Sequence, residues 1–194
     1  NTQNEGNIKM KKLLSLALVA LVALSANAAS IAWKSTALSF DGATLKSNTS
    51  VVGYLIYLGN SASLDASYAI TDSFDASSIG TVAQTDSNGT AKAGQVGETL
   101  QFAFGSYQNN DAFALLVSYT TEGKTYWNLS STINSLSGLS DELSTPADFT
   151  TFAFNNATAE AGTLKAGGGW TAVPEPASAM LALAGVAMLI RRRK

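Results

Sequence analysis

Apolar and polar residues alternate with a period of two through much of the middle of this chain, the pattern of half-buried β-strands. Leu100, Phe102 and Phe104 alternate with Gln101 and Ala103; Phe113, Leu115, Val117 and Tyr119 alternate with Ala114, Leu116, Ser118 and Thr120. Residues 51–58 depart from alternation. They form a continuous apolar run with β-branched residues and two tyrosines, which suits a central strand covered on both faces. Thr121-Glu122-Gly123-Lys124 reads as a tight turn, and 125–129 returns from it carrying Tyr126 and Trp127, so a hairpin is predicted here. Further strands are predicted at 31–40, 67–70, 79–85 and 149–154, with a last one at Trp170. Between them lie turn signals at Asp41-Gly42, Gly59-Asn60, Asp86-Ser87-Asn88-Gly89 and Asn109-Asn110-Asp111. One short helix is predicted, at 137–143.

Short strands at this spacing predict an all-β domain, a single antiparallel β-sandwich with a jelly roll as one arrangement. No repeat of fixed period stands out, which argues against a solenoid or propeller. Residues 157–169 hold few large apolar side chains and end in Gly167-Gly168-Gly169, so 157–172 reads as a flexible Gly/Ala-rich spacer, with Trp170 tacking it to the sandwich.

The two ends follow other patterns. Lys11-Lys12 precedes the apolar run 13–24, in which Ser15 is the single polar residue, and Ser25-Ala26-Asn27-Ala28 follows with Ala26 and Ala28 at the two small-residue positions of an A-x-A site. Positive flank, apolar core and small-residue exit in this order predict a secretory signal helix cut after Ala28, with Met10 as the start. At the other end Val173-Pro174-Glu175-Pro176 leads into 177–190, a run without charge, and then Arg191, Arg192, Arg193 and Lys194. As a helix, 177–190 spans about 21 Å, against about 30 Å for a bilayer core. It reads as a short transmembrane helix suited to transient retention, with the basic block held on the cytoplasmic side and the body outside. The two prolines stop that helix from extending upstream and keep Glu175 in extended chain.

This tail resembles the PEP-CTERM sorting signal of bacteria that make extracellular polysaccharide and have a two-membrane envelope. Val173, Pro174, Glu175 and Pro176 match the motif, 177–190 the short membrane helix, and Arg191–Lys194 the basic end. The resemblance covers about 22 of the 194 residues. It implies that a membrane-embedded cysteine transpeptidase, exosortase, recognises the motif, cuts nearby and releases or transfers the body. It implies an address and a processing step, and says nothing about the body's activity. The chain is thus expected to divide into an upstream and signal region at 1–28, a β-sandwich at 29–156, a spacer at 157–172 and a sorting tail at 173–194.

Charge looks balanced only while the ends are counted. Of 12 basic and 14 acidic residues, seven basic and two acidic ones belong to the ends, leaving the body five lysines, no arginine and twelve acids, a formal net charge of −7. A nucleic-acid footprint is basic, so that function class is set aside. The chain has no cysteine and no histidine, which removes disulfides, thiol nucleophiles and histidine-dependent triads. No cofactor or metal is predicted. A body of about 144 residues is long enough to hold together on its core alone.

Candidate sites in the body are weaker than those at its ends. Asp86-Ser87-Asn88-Gly89 resembles the start of a calcium loop, but Glu98 falls one residue late for the bidentate ligand, and an ordinary turn explains it. Asp65, Asp72 and Asp75 are acids around turns. Asp111, Glu122, Asp141, Glu142 and Glu160 offer carboxylates for glycoside hydrolysis without any spacing that selects a pair. The aromatics Trp33, Tyr54, Tyr57, Tyr107, Tyr126 and Trp127 suit either the core or a sugar-stacking face, with Tyr126 and Trp127 the first candidates for sugar contact. N-x-S/T triplets occur at Asn48, Asn88, Asn128 and Asn156. The favoured expectation is an exported, non-catalytic surface or matrix protein that meets Sec-type export machinery, signal peptidase, an exosortase-like transpeptidase and extracellular polysaccharide. A carbohydrate-binding module and a carboxylate-dependent glycan hydrolase stand as alternatives.

Overall fold

The structure is a computed structural model that describes residues 28–45, 50–60, 63–86, 94–139, 147–149 and 151–174. The predicted signal run 13–24, Ala26, Glu175, Pro176, the apolar run 177–190 and the basic end Arg191–Lys194 lie outside these residues. Among the described residues no helix is long and apolar enough to cross a membrane.

The body is all-β. In chain order the strands are β1 (Ala28–Lys34), β2 (Ser39–Phe40), β3 (Ala43–Thr44), β4 (Val51–Gly59), β5 (Tyr68–Ala69), β6 (Thr81–Asp86), β7 (Gly97–Ala103), β8 (Ala112–Thr121), β9 (Lys124–Leu129), β10 (Asn134–Ser135), β11 (Ala147–Asp148), β12 (Thr163–Leu164) and β13 (Thr171–Ala172). A six-stranded sheet runs β13-β9-β8-β4-β6, with β10 also on β8, and a three-stranded sheet runs β11-β1-β7. Two short pairs, β2-β3 and β12-β5, stand beside these sheets. Every pairing in the large sheet is antiparallel; β1 pairs antiparallel with β7 and parallel with β11.

The apolar run at 51–58 becomes β4, flanked by β8 and β6 as a central strand requires. Side chains on a strand point alternately to its two faces, and β8 shows this with both faces dry. Phe113, Leu115 and Val117 enter one core together with Ile31, Trp33, Leu55, Phe152 and Trp170. Ala114 and Leu116 enter a second core with Ile56, Ile70, Trp127, Leu129 and Leu164. The first core joins the large sheet to β1. The second lies on the opposite face, under the connection between β4 and β6 and under β12.

The predicted hairpin is present as β8-β9, closed by a two-residue turn in which Glu122 and Gly123 have φ of 51° and 75°. Thr121 pairs with Lys124, and the left-handed conformation of both central residues matches the strand twist. Asp41 and Gly42, at 49° and 76°, close β2-β3 in the same manner.

Two expectations are corrected. Residues 157–172, read as a flexible spacer, contribute β12 and β13 and two fully buried side chains, Leu164 and Trp170, one to each core. The Trp170 Nε1–H donates to the Ser39 carbonyl at 2.7 Å, and backbone bonds join Ala157 and Ala159 to Trp170. Glycines mislead here because they serve close packing: a Cβ at Gly169 would strike the Ala157 carbonyl. The predicted helix at 137–143 is not helical over 137–139, and its remainder lies outside the described residues. The one helical turn observed among the described residues is a 3-10 turn at Ala76–Ser78, capped by Asp75.

Candidate functional site

The end of the described chain is built onto the sheet edge. Thr171 and Ala172 of β13 pair with Trp127 and Tyr126 of β9, and the Val173 N–H continues the ladder to the Thr125 carbonyl at 3.3 Å. Gly162 donates to the Ala172 carbonyl, and a Cβ on Gly162, whose φ is 88°, would meet Pro174 Cγ at 3.1 Å. Val173 is half-buried against the second core, and Pro174 is exposed. The first two residues of the expected motif, Val173 and Pro174, therefore sit on the folded body. At the other end Ala28, the expected last residue of the signal peptide, is the first residue of β1 and pairs with Ala103.

Beside Val173 and Pro174 lies a cleft of about 430 Å³. Thr71, Asp72 and Phe74 form one wall, the turn Gly123-Lys124-Thr125 another, and Trp127 also lines it. Phe74 packs edge-on to Trp127 with ring centroids 5.1 Å apart, and Tyr54 lies 5.9 Å from the same ring. Trp127 is 7 % exposed, and its Nε1–H finds no acceptor among the described residues. Asn128 Oδ1 is also without a donor, although the Asn128 Nδ2 donates to the Asn155 carbonyl at 2.7 Å.

Tyr126 and Trp127 are not brought together as a sugar-contacting face. They are successive residues on β9 and enter opposite cores, the Tyr126 ring tilted against Phe40 with centroids 4.6 Å apart and the Trp127 ring meeting Phe74 edge-on at 5.1 Å. Trp33 is buried, its Nε1–H donating to Gln84 Oε1 at 2.7 Å, while the Gln84 amide donates to the Thr99 carbonyl at 3.2 Å. Tyr57 and Tyr107 belong to a ring cluster with Phe102 and Phe113.

Asp111 is buried at the foot of this ring cluster. Its Oδ2 accepts from the Gln108 N–H at 2.9 Å and the Tyr57 hydroxyl at 3.3 Å, which locks the 108–111 loop beneath β8. Burial first, and the Asp111 carboxylate second, raise the pKa of both Tyr57 and Tyr107. Asp86 is buried and accepts from the Gly97 N–H at 2.8 Å, tying β6 to β7; residues 87–90 of the expected calcium loop lie outside the described residues. Asp75 caps the 3-10 turn through the Ser77 N–H and hydroxyl, and the hydroxyl bond is the first cause of its lowered pKa. A second open cleft, lined by Tyr57, Asp65, Tyr68 and Thr81 among others, has a similar volume of about 430 Å³. The Tyr68 hydroxyl accepts there from the Asp65 N–H, and burial raises the Tyr68 pKa.

Of the other carboxylates, Glu122 occupies the hairpin turn and Glu160 is exposed, while Asp141 and Glu142 lie outside the described residues. Among the described residues no three acids gather where they could hold a metal ion. Asn128 is fully buried, so its triplet is closed to modification in the folded chain. Asn156 uses its side chain to pin β2, accepting from the Ser39 N–H and donating to the Ala37 carbonyl.

The Trp127 cleft has no local signature in the sequence. Its walls come from positions 71–74, 123–127 and 173–174, which the fold alone assembles. The available hint was Trp127 itself, an indole on a predicted strand. Comparisons of the chain with protein-family models, with curated proteins and with solved structures give no match.

Proposed function

We propose that this is an exported, non-catalytic surface or matrix protein whose β-sandwich body is carried out by a signal peptide and sorted through its PEP-CTERM-like tail. The observation that carries the reading is the order of features at the two ends. Lys11-Lys12, the apolar run 13–24 and the Ala26/Ala28 exit stand at one end; Val173-Pro174-Glu175-Pro176, the uncharged run 177–190 and Arg191, Arg192, Arg193 and Lys194 stand at the other. The strands of the body occupy the interval between, from β1 at Ala28 to β13 at Ala172. In favour of a sandwich, one core draws on both the three-stranded and the six-stranded sheet, and Trp33 on β1 reaches Gln84 on β6.

Under this reading Sec-type machinery and signal peptidase act first, and an exosortase-like transpeptidase acts at the tail. Val173 and Pro174 are held on the sheet edge, so the transpeptidase either cuts beyond Pro174 or waits for β13 to peel away. Intact mass and fractionation of the native protein from its host test the proposal. The expected product is a body trimmed at both ends, outside the cytoplasm, and formed only when the transpeptidase is present. A full-length chain in the cytosol, or equal trimming without that enzyme, overturns it.

A further inference from the structure

The strands of the body end almost where the membrane segment of the proposed function begins. β13 runs antiparallel to β9, so each residue along it lies closer to the β8-β9 turn. Thr171 is opposite Trp127, Ala172 is opposite Tyr126, and the Val173 N–H bonds to the Thr125 carbonyl. Pro174 therefore leaves the body beside the Glu122-Gly123 turn, with Thr71, Asp72 and Gly162 as its other neighbours. Glu175 and Pro176 alone separate it from Ala177, the first residue of the uncharged run 177–190. Covalent geometry limits the reach from Pro174 to Ala177 to about 10 Å.

The headgroup layer on each side of a bilayer core is about 5–7 Å deep, which uses most of that tether. As a helix, the run 177–190 is also about 9 Å shorter than the core, a mismatch that draws flanking residues inward. The body therefore has no room to stand clear of the lipid. Its surface at the exit is polar. Asp72, Glu122 and Glu160, the last two residues before Gly162, are exposed acids around Lys124. The exposed large apolar side chains among the described residues lie elsewhere, Val82 on β6 and Phe104 beyond the end of β7. Such a surface neither inserts into lipid nor is drawn to an anionic one.

On the basis of the anchor reading above, we propose that the partner of this end of the body is the headgroup layer of the bilayer. While the tail is uncut, the Glu122-Gly123 turn and the loops at 71–72 and 160–162 lie against the lipid, and the 104–111 loop points away from it. The 10 residues of β8 put about 30 Å between these two ends. The contact is imposed by the tether and not by affinity. It ends when the tail is cut, and the acidic body then leaves the membrane.

The chain has no cysteine, so a single introduced one can carry a fluorophore. Ala161→Cys, exposed beside Gly162, labels the near end, and Gln108→Cys, exposed in the loop before β8, labels the far end. Each variant is exported by a host that lacks the transpeptidase, so that signal peptidase acts and the tail stays on. It is then reconstituted in phosphatidylcholine–phosphatidylglycerol vesicles that contain a lipid with a nitroxide headgroup. Quenching at position 161 is expected to exceed that at position 108 several-fold. A Gly/Ser spacer of about 20 residues between Pro176 and Ala177, about 25 Å in r.m.s. length, is expected to bring the first value down towards the second. Equal quenching of the two labels, stronger quenching at position 108, or quenching at position 161 that the spacer leaves unchanged overturns the proposal while the chain stays anchored. A chain that does not float with the vesicles overturns the anchor reading and the proposal together.

Discussion

Leu55 and Ile56 are neighbours on β4 and both fully buried, yet they enter different cores. The core that Leu55 enters lies against β1 of the three-stranded sheet and is bordered at its edge by the Trp33–Gln84–Thr99 hydrogen-bond chain. It is also filled by a run of interlocked rings from Tyr57 through Phe113 and Phe149 to Phe152. The core that Ile56 enters is roofed by short pieces: β5, the 3-10 turn Ala76–Ser78, and β12. Regular sheet leaves little room for a cleft, whereas short irregular pieces meet at gaps. The Trp127 cleft opens on the irregular side, as does much of the Tyr68 cleft, so the gaps lie on that face and rigidity on the other.

The largest test of this contrast is the pair Leu55→Ala and Ile56→Ala. Truncations of this kind cost about 2–5 kcal/mol, and the cost rises where the surroundings cannot collapse into the cavity. Leu55→Ala is expected near the top of that range and Ile56→Ala nearer the bottom, by urea denaturation. The reverse order breaks the comparison.

Gly53→Ala probes the tight side from the opposite direction. A Cβ there meets Val96 Cγ2 at 2.9 Å beneath the Trp33 ring, and overpacking of a dense core costs about 1–3 kcal/mol. Val96→Ala added to Gly53→Ala should recover part of that loss in the same assay. Additivity of the two changes means that Val96 is not what the added Cβ strikes.

Gly162→Ala reports on the loose side. The residue lies in left-handed backbone and faces Pro174, so a cost of about 1 kcal/mol is expected from strain. Faster hydrogen exchange at the Val173 amide should accompany it, as the end of β13 lifts. Unchanged exchange at Val173 means that Pro174 is not held by this contact.

The smallest effect is with pH. The pKa of Tyr57 is raised in the folded chain, so the protonated phenol favours the fold. That contribution is complete below the ordinary tyrosine value of about 10 and fades as pH rises through the higher folded value. Tyr57→Phe should therefore flatten the loss of stability above about pH 10, with little change at neutral pH beyond the loss of one hydrogen bond to Asp111. An alkaline slope that Tyr57→Phe leaves unaltered assigns it to other groups.

The all-β class was legible because strand alternation is a local property. β8 and β9 follow it, β4 is legible as a continuous apolar run, and the turns at Glu122-Gly123 and Asp41-Gly42 are legible because left-handed backbone needs particular residues wherever it occurs. Sequence patterning misjudged 157–172, where glycine and alanine suggested looseness. Small residues permit both looseness and close approach, and only the neighbours decide which. Phe104 shows the same limit: it continues the alternation of Leu100 and Phe102 but lies beyond the end of β7 and is 47 % exposed.

The sequence by itself determined that the middle of this protein is a set of β-strands, that cysteine and histidine chemistry is absent, and that each end carries an uncharged apolar run beside basic residues. These depend on residue type and on spacing over a few positions, which the covalent chain specifies directly. Which aromatic faces which core, the grip on Val173 and Pro174, and the joining of positions 71–74, 123–127 and 173–174 around one cleft were decided only by tertiary structure. Contacts between residues far apart in the chain arise from strand order and from the burial of both sheet faces, and no local pattern encodes either.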